Sequence, residues 1–70
     1  MLFRSEPVSK ALADLTPEQR QIVLLADIEE CSYEEISKIV GCSVGTVRSR
    51  LHRARAQLRK LVNQYMKSSS

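Results

Sequence analysis

Residues 43–60 read SVGTVRSRLHRARAQLRK, and this run limits what the chain can become. Val44, Val47, Leu51, Ala54, Leu58, Leu61 and Tyr65 recur at alternating steps of three and four. Such spacing draws one apolar stripe along a long helix. Off the stripe stand Arg48, Arg50, Arg53, Arg55, Arg59 and Lys60, with no acid among them. A helix packed along one side and cationic elsewhere offers its second surface to a polyanion or to water. The sequence ahead of it decides between the two.

That sequence is short. The whole chain has 70 residues, enough for one small domain. A domain of this size buries only roughly 60% of its unfolded surface. No apolar run approaches the roughly 20 residues a bilayer span needs. The opening MLFRSEPVSK lacks the apolar segment of a signal peptide, so a soluble, cytoplasmic protein is expected. Net charge is +3, but it is unevenly placed. Up to Glu35 eight acids face three bases, a balance of −5; from Ile36 onward eight bases meet no acid, giving +8. This asymmetry points to nucleic acid or an acidic partner, with the acidic half turned away from any polyanion. Cys31 and Cys42 form no metal signature: there is no C-x-x-C, and His52 is the one histidine. Buried free thiols, no metal and no cofactor are expected.

Taken in order, residues 1–5 read as a flexible start or linker remnant, with Ser5 able to cap a short helix over 6–13. Thr16-Pro17-Glu18-Gln19 is a capping box with proline at the first helical position, opening a helix expected to reach about Asp27. Ile22 to Ala26 are all apolar and wrap most of a helix circumference. Either the neighbouring helices cover that surface or part of it docks elsewhere. Ser32-Tyr33-Glu34-Glu35 is a second capping box, and Gly41 stops its helix. Ser43 caps the next one. Two helices separated only by Gly41-Cys42-Ser43 make a helix-turn-helix pattern. The last helix is expected to fade near Met66, leaving 67–70 as a tail. The fold class is therefore all-α: a small four-helix domain over 6–66, with a helix-turn-helix and a long C-terminal recognition helix.

In such a motif the second helix enters the major groove and its first turns reach base edges. With Val47 at the centre of the packed side and 100° per residue, Gly45, Ser49 and His52 point outward, flanked by Arg48 and Arg53. Arginine can grip guanine bidentately. The hydroxyls of Ser43, Thr46 and Ser49 suit phosphate oxygens. Tyr33, at a helix start, reads either as a half-buried ring or as a phosphate donor. Arg55, Arg59 and Lys60 lie further along, outside the groove, on DNA backbone or in solvent. Enzymatic chemistry is not expected: no acid accompanies His52 in the basic half, and the glycines lack the G-K-[ST] of a phosphate loop.

The segments LTPEQRQIVLL and YEEISKIVGCSVGTVRSRLHRARAQLRKL together resemble region four of bacterial RNA polymerase sigma factors, most closely the extracytoplasmic-function group. The resemblance covers roughly residues 8–62, and VGTVRSRLHRAR is its most specific part. Ser37 stands where the family often has alanine. The resemblance implies a four-helix domain that reads the −35 promoter element, with a preference for GGAA-like sequence. Base contacts would fall on Arg48, Ser49, His52 and Arg53, and backbone contacts on Tyr33, Ser43, Thr46, Arg50 and Arg55. It also implies RNA polymerase core as partner, through the flap tip of its beta subunit, and an anti-sigma factor. Ile22, Leu25, Leu58, Leu61 and Tyr65 are the apolar candidates for those contacts. Region two of a complete sigma factor has no counterpart here, so an excised C-terminal domain, acting as a monomer, is expected. Two other readings are a response-regulator-type effector domain and a module used mainly for protein interaction.

Overall fold

The computed structural model describes residues 6–69, with side chains for 7–67. Residues 1–5, including the expected cap Ser5, lie outside the described residues. Four helices follow one another: α1 (Glu6–Asp14), α2 (Pro17–Val23), α3 (Tyr33–Val40) and α4 (Val44–Ser69). Between α2 and α3 the chain makes a π-helical turn, Leu24–Ile28.

The starts of α2, α3 and α4 have the caps their sequence encodes. Thr16 Oγ1 accepts the Gln19 N–H at 3.2 Å, and the Gln19 side chain accepts the Thr16 N–H at 3.3 Å. Ser32 and Glu35 repeat the exchange at 3.1 and 2.9 Å. Ser43 Oγ accepts the Thr46 N–H at 3.2 Å, so Ser43 opens α4. These bonds satisfy donors that no helical carbonyl can reach. Gly41 closes α3 with φ of +76°, a left-handed conformation that glycine adopts without a Cβ clash. Its N–H and that of Cys42 both donate to the Ser37 carbonyl, at 2.9 and 3.1 Å.

Two boundaries differ from expectation. Regular α2 ends at Val23 rather than near Asp27. The Glu29 N–H then reaches back five residues to the Leu24 carbonyl, at 3.0 Å, and the Cys31 N–H reaches the Leu25 carbonyl at 2.9 Å. The widened turn ends on Glu30, whose φ is +55°. At the other end, α4 continues past Met66 to Ser69. Residues 67–69 contain no glycine or proline to stop it, and Lys67 complements the C-terminal dipole.

The core is built on the α4 stripe. Val47, Leu51 and Ala54 are fully buried against Leu15, Ile22, Val23 and Ile36. Val40, Leu58 and Leu61 are half-buried around them. Leu25 and Ala26 pack on the core from the π turn, while Leu24 is only half-covered and Ile28 stays 47% exposed. The helices thus cover part of the Ile22–Ala26 run and leave the rest at the surface. Cys31 and Cys42 are half-buried free thiols packed on this core, not fully buried ones. No helix among the described residues is long and apolar enough to cross a membrane.

Candidate nucleic-acid interface

Because the stripe of α4 is locked inward, the rest of that helix is held outward. Arg48, Ser49, Arg50, His52 and Arg53 are all exposed. They occupy the first turns of α4, immediately after the Gly41–Ser43 turn, where a helix-turn-helix presents base-reading groups. Gly45 and Ser49 put little bulk between the backbone and an approaching groove.

The individual side chains are not equivalent. The Arg48 guanidinium lies over the Tyr33 ring, 5.8 Å from its centroid. A cation over an aromatic face is attracted to it and loses rotamer freedom before any ligand arrives. Tyr33, half-buried at the first position of α3, therefore supports Arg48 as well as offering its own hydroxyl. Arg50 and Arg53 lie on the opposite flank, lining an open groove with Thr16, Gln19, Ile39 and Val40. Ser43 Oγ donates to Thr46 Oγ1 at 2.9 Å, which engages the Ser43 proton and leaves that of Thr46 to point elsewhere. Ser37, half-buried near the α3–α4 contact, donates to the Glu34 carbonyl at 2.8 Å, so its hydroxyl is satisfied within its own helix.

Two expected site residues are placed otherwise. Arg55, expected at the DNA backbone, is bound to Asp27 of the π turn: Nη2 to Oδ1 at 2.5 Å and Nε to Oδ2 at 3.4 Å. That two-pronged bond, foremost, raises the guanidinium pKa further above its ordinary value, with smaller contributions from Tyr33. Ile22, expected on a partner surface, is 3% exposed and belongs to the core, because it faces α4 from α2. Leu25, Leu58 and Leu61 keep partial exposure. Tyr65 is half-buried, with Lys10 near its ring at 5.9 Å and its hydroxyl donating to Asp14 of α1. That hydrogen bond, with some desolvation, raises the Tyr65 pKa.

Sequence reasoning missed Asp27 and Glu30. Asp27 stands 28 residues from Arg55, and no local spacing announces the pair. The Cys31 thiol is pushed up by desolvation, then by Glu35 and Glu29, the opposite of what an activated thiolate needs.

A basic, outward-facing second helix on a helix-turn-helix, backed by an aromatic under its leading arginine, defines a DNA-binding class of domain. Comparison with known proteins sharpens this. The profile of "Sigma-70, region 4" matches residues 5–58. The ECF RNA polymerase sigma factor SigE of Mycolicibacterium smegmatis is 59% identical over 49 residues, covering 70% of this chain and 19% of that protein. RNA polymerase sigma factor YlaC of Bacillus subtilis is 39% identical over 57 residues, covering 81% and 33%. ECF RNA polymerase sigma factor SigC of Mycobacterium tuberculosis is 45% identical over 51 residues, covering 73% and 28%. The chain belongs to the sigma-70 region 4 family, in the form found in ECF sigma factors. It spans no more than a third of the length of these relatives.

Proposed function

We propose that this chain reads the −35 element of promoters for RNA polymerase, as one DNA-binding unit of an ECF-type sigma factor. The observation that carries the reading is the arginine edge of α4, exposed and free of acids at residues 48–53, with Arg48 seated on Tyr33. Arg48, Ser49, His52 and Arg53 face base edges; Tyr33, Ser43, Thr46 and Arg50 face phosphates. Arg55 is left out of that set because Asp27 holds it. Recognition is an equilibrium with no covalent step, by a monomer, in the compartment that holds the chromosome.

Fluorescence anisotropy with a GGAA-bearing duplex and a scrambled duplex tests the reading. Arg48→Ala should weaken binding to the GGAA duplex by about 1–3 kcal/mol and erase the preference over the scrambled one. Arg59→Ala should cost less and leave the preference intact. With about four to six phosphates neutralised, log K should fall against log salt with a slope of about −4 to −5. A slope near zero, or no preference in the unaltered chain, rules the reading out.

A protein-facing role accompanies this one. Leu24 and Leu25 form a shallow, mostly apolar surface with Pro17, edged by Arg20, Gln21 and Glu29. Leu25, with Leu58, Leu61 and Tyr65, is the surface we assign to RNA polymerase core, at the beta flap, or to an anti-sigma factor. Flap binding retained by an Arg48→Ala, Arg53→Ala double variant, with DNA binding lost, would separate the two surfaces.

A further inference from the structure

The Asp27–Arg55 pair is hard to explain by stability. Both side chains are substantially exposed, 31% and 44%, and exposed pairs add little to folding. Nor does it favour affinity, since a carboxylate beside a DNA-binding helix repels phosphate. Its position is more telling. Arg55 stands seven residues after Arg48, close to two full turns, so both lie on one flank of α4. Tyr33 bears on both: the Arg48 guanidinium sits over its ring, 5.8 Å from the centroid, and after Asp27 it adds a smaller share to the raised pKa of Arg55. Asp27 reaches this flank from the π turn, the widened segment that follows α2. A row of Asp27, Arg55, Tyr33 and Arg48 results.

We propose that Asp27 is a specificity-determining residue: it holds Arg55 off the DNA backbone, so that binding on this flank depends on Arg48 meeting its base. An arginine free to take any phosphate would strengthen binding to all sequences alike. Held by Asp27, Arg55 makes no sequence-blind contact. This inference rests on the promoter-reading function proposed above.

The test compares the 70-residue chain with Asp27→Asn, Asp27→Glu, Arg55→Gln and the Asp27→Asn, Arg55→Gln double variant, on the GGAA and scrambled duplexes across a salt series. Asp27→Asn should bind the scrambled duplex about three- to tenfold more tightly near 0.1 M salt. Its salt slope should steepen by about 0.9, the signature of one added phosphate contact. The GGAA-to-scrambled affinity ratio should fall at least about threefold, because a phosphate contact is blind to sequence. Asp27→Glu should keep the original ratio. The double variant should return the slope and scrambled-duplex affinity to those of the unaltered chain. Arg55→Gln alone should leave the slope unchanged, and it decides the matter if Asp27→Asn fails to fold by circular dichroism. A slope flattened by about 0.9 in Arg55→Gln would place Arg55 on a phosphate already and overturn the proposal. So would an unchanged ratio in folded Asp27→Asn, or a gain that survives in the double variant, while promoter reading itself stands. An unaltered chain that does not discriminate between the duplexes defeats both.

Discussion

Two residues with positive φ bracket α3, and they make opposite predictions. Gly41, at +76°, has nothing within 4 Å of where a Cβ would stand, so the cost of a side chain there is conformational rather than steric crowding. Gly41→Ala should therefore destabilise the domain by about 1–2 kcal/mol, read as a lowered urea midpoint at constant m. Glu30, at +55°, is a glutamate in the same region without glycine's freedom. Glu30→Gly should raise stability by about 0.5–1 kcal/mol, the relieved strain exceeding the added freedom of the unfolded chain. A lower midpoint for Glu30→Gly would mean that any strain at 30 is smaller than the freedom glycine adds to the unfolded chain. Gly41 was legible because a glycine after an amphipathic run is the usual way to end a helix. Glu30 was not, since nothing in glutamate's chemistry announces the left-handed region.

Among the elements, the caps were the most readable part of this chain. Both capping boxes predicted from four-residue strings formed, because the bonds involved are local and owe nothing to the rest of the fold. The π turn was unreadable for the converse reason. A five-residue hydrogen bond leaves no periodic trace, and an apolar run of five looks like a wholly buried helix until its neighbours are known. The same locality gives α3 a dependence on pH. Backbone and side-chain hydrogen bonds to Ser32 lower the Glu35 pKa below its usual 4.5, a shift opposed by partial desolvation. A carboxylate depressed in the folded state contributes stability that is complete above the unfolded value and fades as pH falls through the folded one. Denaturation midpoints should thus drop below about pH 4.5 in the unaltered chain and drop less in Glu35→Gln. At the other box, Thr16→Ala should cost about 1 kcal/mol, measured the same way.

For the molecule as a whole, the division of charge was visible in the sequence and correctly anticipated a cationic outer edge on α4. What could not be seen was the place where the halves touch. Asp27 from the acidic half reaches Arg55 of the basic half, and Asp14 of α1 accepts from Tyr65 near the far end of α4. Contacts across 28 and 51 residues are products of packing, not of any local string. The second of them is open to a simple check. Tyr65→Phe should leave the fold and the arginine edge in place but speed hydrogen exchange in α1, which packs on the same stretch of α4. Because Tyr65's pKa is raised in the folded state, its contribution is full below about pH 10 and is lost as pH climbs through the folded value. The gap in midpoint between the two proteins should therefore close in strong alkali.

α4 runs unbroken for 26 residues, carrying the exposed arginines 48, 50 and 53 at one end and the α1 dock at the other. A rod of that kind works like a ratchet with fixed teeth. Adding one amino acid between His52 and Leu58 would swing one end about 100° against the other, while adding seven would bring them back within about 20°. A one-residue insertion in that interval should thus break the α1 contacts by rotation, and a seven-residue one by a shift of about 10 Å along the axis.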